Sequence, residues 1–428
     1  MMADARVTVS LDVLAMCRSG RFDEVRDRFV PQLQSLVSED MLRVAWSTEM
    51  GRLGAVRDVG APVVEAAPSG AAVVRIPLAC ERGGVVLAVT LTAEGRLAGL
   101  QFAPPSAVEP PAPWVPPDYA DPALFDEADV MVGAGDLAVP GVLSLPHGAQ
   151  RRPALVLLAG SGANDRDETI GVQKPFKDVA WGLASRGITV LRFDKVTFAR
   201  PQQAAANPAF TLDDEYLPQA LAGIHLLQEH PGVDAGRVFL LGHSLGGTVA
   251  PRVAAAEPRV AGIILMAGGI QPLHWNLVRQ VRYIASHSPD TAAAAESTVQ
   301  ALTAQAQRVD APDLSPSTPP GELPLGVPAS YWLDLRSYDP AKVAARLGKP
   351  ILVLQGGRDY QVTVEDDLRL WREGLAGCAG VTVRVYPADN HLFFSGSGPS
   401  LPSDYYEAPQ HVDPAVIGDI AAWLASPT

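Results

Sequence analysis

The sequence predicts an α/β fold, a mostly parallel sheet with helices on both faces and a cap insertion, preceded by a small α+β domain. Three features of the 428 residues predict it. Beyond about residue 150, short apolar runs alternate with helix-forming stretches, as in strands joined by helical crossovers. Before residue 103 the order differs: helices come first, then a series of β-type runs. Between these parts lie seven prolines, Pro104, Pro105, Pro110, Pro111, Pro113, Pro116 and Pro117, which suit an extended spacer. A single core seldom grows past about 250–300 residues, so the length itself asks for two domains. The expected organisation is a domain at 1–103, a linker at 104–120, and a domain at 121–428 with its cap at about 269–345.

In the first domain Ser10 can cap a helical turn carrying Leu11, Leu14 and Cys17 on one face, with Gly20 as its stop. Ser38 precedes a second face of Met41, Ala45 and Leu53, with Trp46 nearby. β-type runs follow at 72–78, 84–92 and 97–102, separated by Arg82-Gly83-Gly84 and Glu94-Gly95.

The second domain opens on a hairpin from 130–132 and 137–143. Strands are expected at 154–158, 188–193, 238–241, 263–266, 351–355 and 381–386, and helices at 176–186, 217–229, after Gly246, and at 416–424. The gap from Met266 to Ile351 is too long for one crossover. Its helical stretch 291–306 and Pro-rich stretch 312–328 read as a cap over the sheet's C-terminal edge.

Composition narrows the partners. With 47% hydrophobic and 19% charged residues the chain is globular. A net charge of −13 disfavours nucleic acid and anionic membrane surfaces. Cys17, Cys80 and Cys378 form neither a metal spacing nor a disulfide framework and read as small buried hydrophobes. No apolar h-region follows Asp4 and Arg6, and no run of about 18 apolar residues occurs, so a cytoplasmic location is the expectation.

The sharpest local signal is Gly242-His243-Ser244-Leu245-Gly246, between a β-type run and the helical run 248–255. A serine hydroxyl becomes a nucleophile only beside a base and an oxyanion stabiliser. A tight strand-to-helix turn lifts the hydroxyl off the sheet and aims the N–H of Leu245 at the developing charge. Gly242 and Gly246 are expected to lack a Cβ because that turn is crowded. His243 reads as the variable residue of the turn.

In such an architecture the acid and then the histidine follow at later strand ends. Asp359 follows the buried run 351–355 and a Gly-rich turn, ahead of Asp366, Asp367 and Asp389 as candidates. His391 stands just past the run 381–386, with His411 as its rival. The second oxyanion donor is expected at Ser161, with Gly162 as runner-up, in the loop after 154–158. Asp165-Arg166-Asp167 reads as an ion-pair network fixing that loop, with a substrate clamp as the other use, and Asp194-Lys195 reads as structural.

Residues 125–428 resemble the bacterial α/β-hydrolases of the dienelactone-hydrolase and esterase type. Besides the turn at Ser244, the likeness covers 160–167, 330–335 with Tyr338-Asp339-Pro340, 355–362, and Asn390-His391-Leu392-Phe393. Residues 8–103 resemble the small accessory domain of unknown function labelled DUF3887 that often precedes such hydrolases. The resemblance implies the α/β-hydrolase fold and hydrolysis of a carboxylic ester, lactone or thioester, with Ser244, Asp359 and His391 at the triad positions. One departure stands out: relatives often carry a basic, Gly-rich turn after the Asp-Lys pair, where this chain reads Asp194-Lys195-Val196-Thr197-Phe198. A substrate preference different from simple esters is therefore expected.

The expected mechanism is attack by Ser244 on an acyl carbonyl, with His391 as base, Asp359 steadying the imidazolium and the N–H groups of Leu245 and Ser161 holding the oxyanion. No metal or organic cofactor is required. Trp275, Tyr331 and Trp332 of the cap are candidates for the substrate pocket. The same serine could instead serve an acyltransferase or cyclase, or a peptidase, and a non-catalytic small-molecule binding module is the reading from another class. The expected partner is a small-molecule acyl substrate. The first domain is a candidate for homodimerisation or for shaping the entrance.

Overall fold

The computed structural model describes residues 2–34, 37–66, 70–103, 114–287, 292–406 and 409–426, which fall into two compact units, Met1–Ala112 and Pro113–Thr428.

In the first unit the helices Met2–Arg18, Phe22–Asp27, Pro31–Gln34 and Glu39–Leu53 precede five strands, β1 (Val56–Val59), β2 (Val63–Ala66), β3 (Ala72–Cys80), β4 (Gly83–Leu91) and β5 (Leu97–Ala103). The sheet runs β1-β3-β4-β5 with β2 also on β3, antiparallel throughout. Alternate residues Val74, Ile76, Leu78 and Val85, Leu87, Val89 meet Val13, Cys17 and Val25 of the helices in one core. Ser10 is not a cap. It lies fully buried inside the first helix, because Val7 and Val9 extend the apolar face upstream. Gly20 does close that segment, at φ 72°. Ser38 does cap the fourth helix, accepting the N–H of Met41. The buried stripe of that helix is Leu42, Trp46 and Leu53, however, and Met41 and Ala45 face solvent.

The second unit is built on an eight-stranded sheet: β6 (Phe125–Val132), β7 (Val139–Pro146), β8 (Arg152–Leu158), β9 (Thr189–Phe193), β10 (Val233–His243), β11 (Ile263–Met266), β12 (Ile351–Gly356) and β13 (Val381–Tyr386). Its order is β6-β7-β9-β8-β10-β11-β12-β13, with β6 and β7 antiparallel to their neighbours and the rest parallel. The central strands are apolar on both faces. Val156, Leu158 and Leu240 enter one core, and Leu155, Leu157, Phe239 and Leu241 enter the other. The helices Leu212–Glu229 and Leu245–Ala256 cover the first face, and Pro175–Ala184 and Pro414–Ala425 cover the second.

Two boundaries differ from the sequence reading. Residues 104–113 of the expected linker lie outside the described residues. From Trp114 on, the segment is part of the second unit: the Trp114 indole donates to Asp178 at 2.9 Å and meets Trp181 edge-on at 5.0 Å. Aromatic anchoring, which proline content does not reveal, makes the difference. Between β11 and β12 the chain forms helices Leu273–Ser286, Ala292–Asp310, Ala329–Ser337 and Pro340–Arg346. The last of these buries Ala341 and Ala344 in the core of the first face, where it packs on the helix Leu245–Ala256, so it joins that helical layer instead of capping the strand ends. Among the described residues no helix is long and apolar enough to cross a membrane.

Candidate active site

Parallel strands deliver their following loops to one edge, where open α/β sheets place their sites. Gly242 at the end of β10 stands in register with Leu158 of β8 and Leu265 of β11, so the loops after β8 and β10 are neighbours. β12 and β13 end level, Gly356 beside Tyr386.

Ser244 sits at φ 54°, ψ −119°, a region that non-glycine residues occupy only when their surroundings force it. The force is close packing. A Cβ on Gly242 would fall 2.1 Å from the carbonyl oxygen of Gly246, and one on Gly246 would fall 2.1 Å from that of Leu158. The helix Leu245–Ala256 starts directly after Ser244, so the N–H of Leu245 belongs to the first turn, which has no intrahelical acceptor.

Asp359 and His391 meet. Oδ2 of Asp359 lies 2.7 Å from Nδ1 of His391, both side chains being buried. The other oxygen, Oδ1, accepts the N–H groups of Gln361 and Val362 at 2.8 and 3.0 Å, so the carboxylate is held from both ends. The glycine turn lets the two loops touch: a Cβ on Gly356 would lie 2.5 Å from the Asn390 oxygen. The His391 ring rests 4.8 Å, centroid to centroid, from that of His243, the residue before Ser244. The other candidates lie elsewhere. His411 meets Asp178 at 3.1 Å, Asp389 accepts the Ser395 hydroxyl at 2.7 Å, and buried Asp367 accepts the N–H groups of Ile270, Gln271 and Thr363.

In the loop after β8, Ser161 borders the same cavity as Ser244 and Leu245. The N–H of Gly160 is bound to Oε1 of Glu168, and Asn164 holds the carbonyls of Gly160 and Ser161 at 3.1 and 3.0 Å. Gly162, the runner-up donor, follows at φ 89°. The charged cluster works as an ion-pair network. Arg166 grips Asp194 through two bonds of 2.9 and 3.0 Å, and Asp167 joins Arg192 at 2.8 Å and Lys174 at 2.9 Å. Burial alone would raise Asp167, but these two cations hold it below the usual carboxylate range.

Three buried polar residues tie these loops together; sequence reasoning gave Lys195 only a structural reading, His243 only that of the turn's variable residue, and Glu168 none. His243, read as the variable residue of the turn, is buried: its Nδ1 lies 2.9 Å from Glu168 and its Nε2 lies 3.0 Å from the main-chain oxygen of His391. Burial would lower this imidazole, yet the adjacent Glu168 carboxylate raises it above its ordinary value. Buried Lys195 donates to the Gly160 oxygen at 2.8 Å and to the Tyr216 hydroxyl at 3.0 Å, and pairs with Glu215 at 2.9 Å. A lysine two residues past the fully buried β9 was the available signal for it. Glu168 offered none, since a glutamate in a polar loop reads as solvated.

The pocket aromatics need correction. Trp332 is wholly buried with Val309, Leu314 and Leu323, a core inside the cap. Trp275 packs on Val278, Val299 and Ala306 and donates its indole N–H to Asp310 at 2.8 Å. Both rings serve the cap's own packing. Tyr331 borders a chamber, but its hydroxyl is spent on Glu215 at 2.6 Å.

Residues 172–396 match the family model described as Serine aminopeptidase, S33. The chain is 35% identical over 408 residues to Esterase EstD of Thermotoga maritima, an alignment covering 95% of this chain and 92% of that protein. Among solved structures it is similar to Est1E from Butyrivibrio proteoclasticus, at TM-score 0.46 and 14% identity over 70% of this chain and 99% of that one. A Pyrococcus furiosus esterase is similar at TM-score 0.43 and 17% identity over 66% and 89%. Matched by the family model over more than half its length, and by a relative over nearly all of it, the chain belongs to the serine aminopeptidase S33 family of α/β-hydrolases.

Proposed function

We propose that the protein is a serine esterase that hydrolyses a carboxylic ester, lactone or thioester through an acyl-enzyme on Ser244. The observation that carries this reading is the 2.7 Å contact between Asp359 and Nδ1 of His391, on the sheet edge where Ser244 is held at φ 54°. A buried carboxylate on Nδ1 keeps the proton there and frees Nε2 to act as a base. Oγ of Ser244 attacks the ester carbonyl as His391 takes its proton. Asp359 stabilises the imidazolium, and the N–H groups of Leu245 and Ser161 hold the oxyanion. His391 then protonates the leaving alcohol as the C–O bond breaks. A water deprotonated by His391 releases the acid and restores the serine. The name of the Thermotoga maritima relative, an esterase, supports the same reading.

The test is fluorophosphonate labelling together with hydrolysis of p-nitrophenyl butyrate. Ser244→Ala is expected to abolish the label and lower kcat by about a thousandfold or more. Label that persists in this variant overturns the reading. Because the family description names an aminopeptidase, an aminoacyl p-nitroanilide belongs in the panel. Its preferential cleavage would make the protein a peptidase.

The proposal extends to the first unit, read as a DUF3887-type accessory domain that pairs two copies. Met41 and Val44, each more than half exposed on the helix Glu39–Leu53, support that use. It also includes work in the cytoplasm, supported by three cysteines that are free thiols.

A further inference from the structure

Two chambers adjoin at the oxyanion loop, and Ser161, Leu245 and Leu273 border both. The larger, about 750 Å³, has a mainly apolar wall that includes Pro208, Phe210, Pro319 and Val327. The smaller, about 200 Å³, contains Ser244 and is faced by Gln271, His274, Asn276, Asp310, Arg336 and Gln361.

The wall of the smaller chamber is organised around His274, which is 4% exposed. Its Nε2 lies 3.0 Å from Oδ1 of Asp310, whose Oδ2 is fixed by the Trp275 indole at 2.8 Å. A carboxylate partner places the proton on Nε2, which leaves Nδ1 as an acceptor. Among the described residues no hydrogen bond reaches that Nδ1. Burial outweighs Asp310 and, with Arg336 nearby, keeps the imidazole below its ordinary value, which favours the neutral ring. Asp310 and Arg336 bring opposite charges to the chamber. The pair therefore favours neither an anion nor a cation by its summed charge, and an uncharged hydroxyl can donate to Nδ1.

We propose that the smaller chamber binds an uncharged, hydroxylated half of the ester, with a substrate hydroxyl donating to Nδ1 of His274, while the apolar half occupies the larger chamber. This rests on the esterase reading above. His274 and Asp310 are thus specificity-determining residues contributed by the cap.

The experiment compares kcat/KM for propyl butanoate, 2,3-dihydroxypropyl butanoate and propyl 3-hydroxybutanoate. The last two carry hydroxyl groups on the alcohol and on the acid, so the better one identifies which half enters the polar chamber. At least one is expected to exceed propyl butanoate about tenfold, the worth of one well-made hydrogen bond. His274→Leu should bring that ratio towards one, mainly through KM. Asp310→Ala, at a half-exposed position that tolerates truncation, should do the same by releasing the ring's tautomer. No preference in the wild type, or a preference that survives both substitutions, overturns the proposal. Failure to hydrolyse any of the three, together with no fluorophosphonate label, overturns the esterase reading beneath it.

Discussion

Nδ1 of His243 lies 2.9 Å from Oε2 of Glu168, and each side chain is only 6% exposed. The contact joins three loops. Glu168 binds the Gly160 N–H with its other oxygen, and His243 reaches the His391 carbonyl through Nε2. Both ring nitrogens thus face oxygens, which favours the imidazolium. Glu168 holds a left-handed backbone, φ 50°, to make the contact. The loop after β8, the turn at Ser244 and the loop carrying His391 are therefore coupled through one buried pair.

Glu168→Gln removes the countercharge. His243 binds its proton more tightly folded than unfolded, so the folded state carries the extra proton above about pH 6.5, and stability falls as pH rises through the raised value. Below pH 6.5 the pair's contribution is complete. The variant is expected to be less stable by about 3–5 kcal/mol at pH 6, with the gap shrinking by pH 9. Denaturant unfolding at the two pH values checks this, and a gap independent of pH would mean that the pair is not ionised.

Lys195→Met leaves Glu215 buried without its cation and frees the Gly160 oxygen. The expected loss is about 3–5 kcal/mol of stability. Because Gly160 leads directly to the proposed donor Ser161, kcat should fall more than KM rises, and steady-state kinetics on p-nitrophenyl butyrate reads the split.

Gly246→Ala places a methyl group 2.1 Å from the Leu158 carbonyl oxygen, a main-chain atom at the end of the central strand β8. The variant is expected to lose more than about 4 kcal/mol or to fail to fold. Gly162→Ala has no heavy atom within 4 Å and meets only its φ of 89°, so about 1 kcal/mol is expected. Urea denaturation of the pair separates packing from backbone strain.

Asp389 is raised by burial, and by Asp413 sharing the Ser395 hydroxyl, to about 6. The folded protein holds this proton between about pH 4 and 6 while the unfolded chain releases it, so stability declines as pH rises across that window. Asp389→Asn should match the wild type near pH 4 and exceed it above pH 6 by roughly 1–2 kcal/mol. Thermal melts from pH 4 to 8 measure this.

Much of the fold was legible because it rests on local patterns. Leu155 and Leu157 alternate with Val156 and Leu158 between the two cores, and that apolar run is visible without coordinates. The turn at Ser244 was legible because its two glycines flank the serine within five residues, although the atom that crowds Gly246, the Leu158 oxygen, comes from another strand. Helix Leu273–Ser286 has Leu273, Leu277, Val281 and Ile284 at helical spacing, but nothing in that spacing tells that its buried His274 and Asn276 border the chamber. Trp332 misled for the converse reason: a large aromatic in a cap can fill a pocket or a core, and only contacts distinguish them.

By itself the sequence determined the alternation of strands and helices, the tight turn carrying Ser244, and the order in which Asp359 and His391 follow it, since each depends on side-chain periodicity or backbone geometry over a few residues. Only the tertiary structure decided that Glu168 pairs with His243, that Lys195 supports Gly160, and that His274 faces the cavity of Ser244. Buried polar groups must find partners wherever the fold brings them, and those partners lie tens of residues away along the chain.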